Sequence, residues 1–581
     1  MYLFAFLAVL PIVVAIGLWL IPFRFLQSSM VAFSAIISLC AIFLFLEPEL
    51  FSFSLNSFSS FMVIVLDVVL ILYFLKEGLR FKDKRVWILA LSQLILFFIA
   101  ESMLGSHHGY ADFVVDELSI FMFTVINIVG SLIVVFSVWY IDKEPISEKK
   151  KRLFLMFLVL FLFVMNLIVT ANSLMVFFLL FELTTLASYL LIGFRKDELS
   201  VNNALKALWM NQIGGLFILT AVLIKLFFYE GDPYFNNLDS GMLIVVSFLA
   251  MAGLVKGAQM PFDSWLLGAM VAPSPVSAIL HSATMVKLAP FIILKLAPAY
   301  EHTIVGTFIM IFGSFVFVVA GFYGLSRDKF KEILGYSTIS LLGLMIAMAT
   351  IVGDEYRYIL YILIMFHAIS KAMLFLLAGV LEKNYHVYNV SEMDGLLYKA
   401  PLTVGMIMFG FATITLPPFG LFFGKLFSIE LVAKNLENSL PYAFLLVALA
   451  IGSAVLILLY FKVASLMFSK NMEKEGYRKE NVFAVELIAP YVFTLMLIVT
   501  SFYMIESGIY VAATLAMTLI VPIWLKMDLF RNVDRVKEYH CGEQGHFAVA
   551  QWSFKFSKTT ENFIAFGGVA AFASIVLGGL V

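Results

Sequence analysis

Residues 357–380 read RYILYILIMFHAISKAMLFLLAGV, an apolar run with His367 and Lys371 near its centre. A helix needs about 20 predominantly apolar residues to cross a bilayer, so this run is long enough to span. Similar runs recur along the chain, and 62% of its 581 residues are hydrophobic while only 13% are charged. Soluble domains average about 45–50% apolar and about 25% charged residues. The composition therefore predicts a polytopic membrane protein.

The charge balance and the cysteines exclude several kinds of partner and cofactor. The net charge is −1 and no basic field occurs, so nothing suggests a nucleic acid partner. The two cysteines, Cys40 and Cys541, lie far apart, whereas iron–sulfur and nickel–iron centres need several thiolate ligands. We therefore expect no cofactor in this chain, and any electron transfer must take place in another subunit.

Apolar runs of sufficient length give about eighteen candidate spans. Lipid cannot satisfy the hydrogen bonds of an open backbone, and these runs are too long for barrel strands, so we expect an all-α protein. The predicted spans are residues 2–20, 29–47, 58–75, 85–102, 114–140, 152–171, 173–194, 201–228, 241–271, 274–296, 303–323, 331–351, 357–380, 401–434, 441–468, 484–504, 508–525 and 562–580.

The charged loops give these spans a consistent orientation. Basic loops include residues 76–85, 143–152, 327–331 and 470–479, and eighteen spans place every basic loop on one side, as the positive-inside rule requires. Both termini are then predicted on the outside of a prokaryotic-type cytoplasmic membrane. The first run lacks a preceding basic region and continues to Leu20, so we expect a retained span rather than a cleaved signal.

Two of the spans, 241–271 and 401–434, are too long for one plain helix and carry prolines in their middle. The first contains KGAQMPF and the second LPPFG, and a lysine lies beside each break, Lys256 and Lys425 respectively. Proline inside a helix frees a backbone carbonyl and kinks the helix. A pair of interrupted segments at matching places in two halves is typical of inverted-repeat transporters.

These breaks suggest how the chain is organised. The predicted repeat halves, each with one broken helix, cover about 152–296 and 303–468 and lie in an antiporter-like core at 111–470. N-terminal spans, including a hairpin at 58–102, occupy residues 1–110. C-terminal spans and a short cytoplasmic connecting segment at 527–561 occupy residues 471–581.

Charged side chains occur inside the predicted spans, where each costs about 2.5–3.5 kcal/mol at mid-bilayer. Such residues need a partner, a water-filled cavity or a neutral state. Histidine titrates close to neutral pH and a buried lysine readily loses its proton, so a row of them can pass protons. Glu182 is a candidate counter-charge for the lysine at the first break. The candidates found in this way are Glu182, Lys256, His281, Lys287, His367, Lys371 and Lys425.

A structural interpretation competes with this one. Any one buried lysine taken alone is explained equally well as an ion-paired residue or as one that reaches the interface. Lys331 lies near a span end, as do Lys206 and Lys225, and Asp67 and Glu101 are isolated, which favours a structural role for those two acids. The whole set of candidates, spread through both halves and beside both breaks, nevertheless favours ion translocation.

At these residues the sequence resembles the antiporter-like subunits of complex I, of group 4 membrane-bound nickel–iron hydrogenases and of Mrp-type sodium/proton antiporters. The resemblance covers roughly residues 110–470. The matching stretches are DELSIFM (116–122), FELTTLASYLLIGF (181–194), WLLGAMVAPSPVSAILHSATMVK (265–287), KEILGYSTIS (331–340), FHAISKAMLFLLAG (366–379) and LPPFGLFFGK (416–425).

The resemblance implies roles for residues of the first half. Glu182 looks like the family's glutamate that pairs with the broken-helix lysine, and Lys256 looks like that lysine. His281 resembles the histidine of the family's HAATMV-like motif. Lys287 resembles an extra lysine that is more typical of Mrp-type and hydrogenase-type members than of bacterial complex I.

For the second half, the resemblance implies that Lys331, His367 and Lys371 belong to a central hydrophilic axis and that Lys425 is the exit-side residue. It also implies a fold of two inverted five-helix repeats. The expected partners are other membrane subunits, peripheral redox subunits with iron–sulfur or nickel–iron centres, lipid, and the translocated H⁺ or Na⁺.

Some stretches depart from the family pattern. In PFDSWLLGA, Asp263 replaces a histidine and Gly268 an aspartate of the usual motif, and the hairpin 58–102 is additional to the usual complex I protein. The segment 527–561 is too short for the long lateral helix of complex I, since 35 helical residues reach only about 52 Å. Within it, HCGEQGH offers His540, Cys541 and His546, a weak metal-site candidate for which a docking loop is the better interpretation.

Two functions remain open from the sequence. The first is a proton- or sodium-translocating subunit of a redox-driven pump of the hydrogenase or complex I type. The alternative is a subunit of an Mrp-type sodium/proton antiporter or of a related ion-coupled uptake complex. An intramembrane protease is disfavoured because HExxH and paired intramembrane aspartates do not occur.

Overall fold

The computed structural model describes residues 2–45, 51–104, 110–416, 419–436, 440–468, 480–481, 484–503 and 556–580. Within these ranges thirteen helices are long and apolar enough to cross a membrane, and three shorter apolar helices accompany them. The prediction of an all-α polytopic membrane protein is confirmed. The predicted span 508–525 lies outside the described residues, so the total of eighteen spans stays a prediction.

The helices are connected mostly by short turns. In chain order they are α1 Tyr2–Leu20, α2 Arg24–Phe45, α3 Ser57–Arg80, α4 Lys84–Met103, α5 Glu117–Asp142, α6 Glu148–Ile168, α7 Leu174–Ile192, α8 Glu198–Phe228, α9 Leu243–Lys256, α10 Ser264–Gly268, α11 Ser274–Ser282, α12 Leu288–Tyr300, α13 Ile304–Leu325, α14 Phe330–Ala349, α15 Asp354–Val380, α16 Leu396–Lys399, α17 Pro401–Thr415, α18 Gly420–Lys434, α19 Leu440–Phe468, α20 Ile488–Tyr503 and α21 Lys558–Leu580. Two short strands, β1 Phe51–Phe53 and β2 Phe113–Val115, pair antiparallel.

Polar residues in the loops fix where several spans begin. The side chain of Asn56 accepts a hydrogen bond from the Ser59 amide at the start of α3, and Asp116 does the same for α5 through the Ser119 amide. Such caps satisfy amides that have no partner within their helix. The centre of the molecule consists of α11, α12, α14 and α15, which are buried on nearly every side, whereas α3, α4 and α21 lie at the periphery.

Both interruptions predicted from prolines are present. In the first, α9 ends at Lys256 and α10 begins only at Ser264. The indole N–H of Trp265 donates to the carbonyl of Val255, 3.0 Å away, and so ties α10 to the last turn of α9. In the second, α17 ends at Thr415 and α18 begins at Gly420.

A third interruption was not predicted. The sequence suggested a continuous span over 274–296, but α11 ends at Ser282, and a 3₁₀ turn at Met285–Lys287 precedes α12. Pro290 explains part of this difference. Proline fits best in the first turn of a helix, because it lacks an N–H and its ring clashes with the preceding turn. The helix must therefore restart just before Pro290, which is the third residue of α12.

The helices from α6 to α19 comprise two consecutive sets of five spans. The fourth span of each set is broken in two, and the fifth span of the first set, α11–α12, is interrupted as well. Close packing of the second set depends on glycine. A Cβ on Gly313 of α13 would lie 2.6 Å from the carbonyl oxygen of Gly343 on α14, so larger residues would force these helices apart. The inverted relation between the two halves stays a prediction.

Candidate functional site

The first broken helix ends on a fully buried lysine. The Lys256 ammonium donates to the carbonyl of Phe181, 3.0 Å away, and to the hydroxyl of Thr185, 2.8 Å away, both on α7. It also lies 3.7 Å from the ring centroid of Phe181, an arrangement that favours a cation. The break thus aims the lysine at the middle of a neighbouring span.

Glu182, the candidate counter-charge, lies close enough to this lysine to interact with it electrostatically but does not contact it directly. Its Oε1 accepts a hydrogen bond of 2.8 Å from the side-chain amide of Gln93 on α4. The same amide donates to the carbonyl of Gln212, and Glu182 Oε2 has no hydrogen-bond partner among the described residues. The hydrogen bonds of Lys256 go instead to Phe181 and Thr185, so the two charges interact through space rather than by contact.

At the centre, the third interruption brings Lys287 against α15. The Nζ of Lys287 lies 2.6 Å from Nδ1 of His367 and 3.7 Å from Sδ of Met345. The other ring nitrogen of His367 is buried without a partner among the described residues, and His281 packs its ring on Phe375 with centroids 4.6 Å apart. Lys287 belongs to the first half and His367 to the second, so this contact joins two titratable groups across the halves.

The remaining buried lysines of the second half have different surroundings. Lys371 donates to the carbonyl of Leu334, 3.1 Å away, and is hydrogen-bonded to the hydroxyl of Ser337, both on α14. Lys425 on α18 is 3% exposed, and its ammonium has no hydrogen-bond partner among the described residues. The two lysines thus differ in whether the ammonium is hydrogen-bonded to a described residue.

Lys331 lies at the start of α14, where it pairs with Glu382 at 2.6 Å; Glu382 also accepts a hydrogen bond from Ser274. A second ion-pair cluster lies nearby, in which Glu144 contacts Arg195 at 2.7 Å and Lys383 at 3.0 Å. Burial alone would raise the pKa of the Glu144 carboxyl, but the hydrogen bonds and charges of these two partners lower it below its usual value. The loops at this end of α6, α8 and α15 are thereby tied together.

Three polar groups near the predicted residues were missed or dismissed. Gln93, which binds Glu182, was not singled out, although a glutamine in a wholly apolar run was a signal in itself. Asp67 was treated as isolated, yet it is buried in α3 within electrostatic reach of Glu182. Lys295 on α12 donates to the carbonyl of Ala171, 3.1 Å away.

The weak metal candidates His540 to His546 lie outside the described residues. Within the described residues no group of three or more metal-ligating side chains occurs.

The arrangement can hold and exchange protons in a dry environment. Lysine and histidine nitrogens, hydroxyls and carbonyls lie within hydrogen-bonding distance of one another in both halves. Intramembrane ionisable groups are costly and mark ion paths or proton relays when they face the interior of a bundle.

Two family descriptions match the chain. The membrane family described as NADH:quinone oxidoreductase/Mrp antiporter matches residues 171–472, and the N-terminus of complex I chain 5 matches residues 103–149. The chain belongs to this NADH:quinone oxidoreductase/Mrp antiporter family. The match includes all of the predicted site residues from Glu182 to Lys425.

Relatives of both kinds are similar to this member of the family. NADH-ubiquinone oxidoreductase chain 5 of Chondrus crispus is 30% identical over 68% of this chain and 60% of its own length. A Na⁺/H⁺ antiporter subunit of Bacillus subtilis (strain 168) is 29% identical over 83% of this chain and 62% of its own. The chain 5 protein of Canis lupus familiaris is 33% identical over 54% and 52%. The chain thus spans 52–62% of the length of these relatives.

Proposed function

We propose that this chain is a proton- or sodium-translocating, antiporter-like subunit of a membrane-bound redox-driven pump of the complex I or hydrogenase type. The single observation that carries the proposal is the 2.6 Å contact between Lys287 Nζ and His367 Nδ1, which lies between two sets of buried lysines. Two basic groups at this distance in a dry interior share a proton, because both cannot hold a charge there without a large electrostatic cost.

In this mechanism the ion path runs through groups of both halves. A protonated Lys287 donates to Nδ1 of neutral His367, and passing the proton leaves a neutral lysine and an imidazolium. Lys371 lies one turn along α15 from His367. The positive charge of the imidazolium then makes Lys371 release its own proton more readily. Glu182, Lys256 and His281 serve the first half, and Lys331 and Lys425 serve the inner side and the exit of the second.

Coupling to redox chemistry requires only a modest electrostatic input. Moving one charge against 100 mV costs about 2.3 kcal/mol, which a charge change in a neighbouring subunit can supply. The proposed partners are other membrane subunits, lipid, and peripheral redox subunits that carry iron–sulfur or nickel–iron centres. The proposed setting is a prokaryotic-type cytoplasmic membrane with both termini outside, which the loop charges support.

A second candidate function is a subunit of an Mrp-type sodium/proton antiporter. One observation favours it, since the antiporter relative of Bacillus subtilis aligns with 83% of this chain whereas the chain 5 relative of Chondrus crispus aligns with 68%. The same buried residues would serve either function. The difference lies in whether redox subunits accompany the chain.

The test is to purify the native complex in mild detergent, identify its subunits and measure proton flux after reconstitution. Co-purifying iron–sulfur or nickel–iron subunits, with flux that requires an electron donor and acceptor, are the expected result. Flux without a redox couple, in a complex that contains only membrane subunits, would replace the redox proposal with the antiporter. A complex without proton or sodium flux under either condition would contradict both.

A further inference from the structure

The peripheral hairpin α3–α4 carries buried acids that the path described above does not use. Asp67 lies ten residues into α3, about 15 Å along its axis and therefore near the middle of the span. Its side chain is 1% exposed, and neither of its carboxylate oxygens has a hydrogen-bond partner among the described residues. No cation of the described residues forms an ion pair with it. Burying Asp67 as an ionised carboxylate therefore does not stabilise the fold.

Asp67 faces two other acids. Glu101 of α4 and Glu182 of α7 are the charged groups close enough to interact with it electrostatically, and α4 and α7 are the helices that pack on α3 in this region. Because α3 and α4 are antiparallel about the turn at 81–83, Asp67 lies at the depth of Phe97. Gln93 then lies one helical turn, about 6 Å, closer to the basic turn, and Glu101 lies about the same distance toward the opposite end of the hairpin. Gln93 is thus the inward neighbour of Asp67, and Glu101 is the outward one.

The inward neighbour is already connected to the core. The amide of Gln93 donates to Glu182 Oε1 at 2.8 Å, while Gln93 Oε1 and Glu182 Oε2 have no hydrogen-bond partner among the described residues. Buried polar atoms that lack a protein partner generally bind water. The free oxygens of Asp67, Gln93 and Glu182 therefore provide places for water between the hairpin and the core.

The outward neighbour opens on a cavity. Glu101 is half-buried and lines a cavity of about 210 Å³ together with Ser60, Ile64, Asp112, Asp232 and Tyr234. Ile64 is one turn of α3 from Asp67, so the floor of the cavity reaches close to the buried acid. The cavity lies at the end of the hairpin opposite the basic turn 76–85, which is the predicted outer side of the membrane.

We propose that the hairpin α3–α4 is an outward-facing proton entrance, in which Glu101 and Asp67 deliver protons to Glu182. The inference rests on the proposed function, because it needs Glu182 to belong to an ion path. An ionised carboxylate without a partner is costly in an apolar interior, so Asp67 is stable there only when it holds a proton or a cation. A sodium ion at Asp67 would require several further oxygen ligands. No other oxygen of the described residues is hydrogen-bonded to Asp67, which favours the proton as the bound ion.

The experiment measures proton flux of the native complex in proteoliposomes, driven by its electron donor and acceptor, with variants of this chain. Asp67→Asn keeps the shape but cannot exchange a proton, and we expect at least about a tenfold loss of flux. Asp67→Glu should retain most of the flux. Glu101→Gln should slow it several-fold and change its dependence on outer pH.

Glu77→Gln is the matched control. Glu77 is a buried acid of the same hairpin, but it is at the opposite end and already accepts a hydrogen bond of 2.6 Å from the Tyr189 hydroxyl. Its glutamine variant should assemble and conduct like the wild type. Lys256→Met tests the underlying function separately, since it should abolish flux whether or not the hairpin takes part.

Three results are decisive. If Lys256→Met abolishes flux while Asp67→Asn stays within about twofold of the wild type at every outer pH, the entrance is wrong and the proposed function stands. If Lys256→Met conducts normally, the proposed function fails and the inference falls with it. If Asp67→Asn does not assemble, Glu101→Gln decides, and a wild-type flux and pH profile in that variant would overturn the entrance.

Discussion

Each of the two broken helices carries a buried lysine, but the two lysines have different surroundings. At the first break, Lys256 donates two hydrogen bonds to α7 and lies close to Glu182. At the second break, Lys425 is equally deep, but its ammonium has no hydrogen-bond partner within the described part of the chain. The first lysine therefore has polar partners that the second lacks among the described residues, and we expect the two breaks to respond differently to loss of the lysine.

The largest expected difference is in the stability of lysine-to-methionine variants. Lys256→Met leaves Glu182 without its nearby cation and two acceptors on α7 without a donor, and it should destabilise the assembled complex by about 2–3 kcal/mol. Lys425→Met replaces an unpartnered group with an apolar one of similar volume and should change stability by less than about 1 kcal/mol. Thermal denaturation of both purified variants checks this. Equal losses would remove the distinction between the two breaks.

A glycine substitution tests the geometry around Glu182 more gently. A Cβ on Gly215 would lie 1.9 Å from Glu182 Oε1 and 2.6 Å from Gln93 Nε2, so Gly215→Ala must displace both side chains. We expect about 1–3 kcal/mol of destabilisation and a several-fold lower proton flux. Gly405→Ala on α17 is the control, since its Cβ would meet no atom within 4 Å. A normal flux in Gly215→Ala would show that the position of the carboxylate is unimportant.

A smaller effect is expected from the hydroxyl that binds Lys256. Thr185→Val keeps the side-chain shape but removes this acceptor, which should cost about 1 kcal/mol and favour the neutral lysine. Ser188, also buried on α7, donates to the Thr185 backbone carbonyl, which does not bind the lysine, so Ser188→Ala is the control. Denaturation and the pH dependence of flux measure both variants, and indistinguishable profiles would argue against a role for Thr185.

The smallest effect concerns the ion-pair cluster that ties the inner loops of both halves. Because Arg195 and Lys383 lower the pKa of Glu144 in the folded protein, its stabilisation is present above the ordinary glutamate value and is lost as the pH falls through the lowered one. Glu144→Gln should therefore cost about 1 kcal/mol at pH 7 and progressively less as the pH falls below the ordinary glutamate value. Thermal midpoints across this pH range provide the measurement, and a pH-independent difference would contradict the assignment.

Local features of the sequence were sufficient to predict part of this architecture. Apolar run lengths predicted the helical membrane protein, and prolines predicted the breaks beside Lys256 and Lys425, because both signals act within one or two helical turns. The break at 283–287 was missed, since no proline lies within it and only the constraint of Pro290 after it was visible.

Contacts between residues far apart in the sequence could not be predicted. Lys287 and His367 are separated by 80 positions, and Gln93 and Glu182 by 89, and nothing local specifies which helix faces pack together. The acceptors that the Lys256 ammonium reaches could not be predicted for the same reason, because the rotation of α9 against α7 decides them. The roles of the site residues stay predictions until flux is measured.

The most direct test of the central claim is the proton flux of the reconstituted complex with Lys287→Met, compared with Lys295→Met. Both lysines lie at or within α12, but Lys295 binds only the Ala171 carbonyl and the faces of nearby aromatic rings, away from His367. We expect Lys287→Met to lose at least about tenfold in flux while assembly is retained, and Lys295→Met to conduct like the wild type. Undiminished flux in Lys287→Met would contradict a path that crosses between the halves at the Lys287–His367 contact.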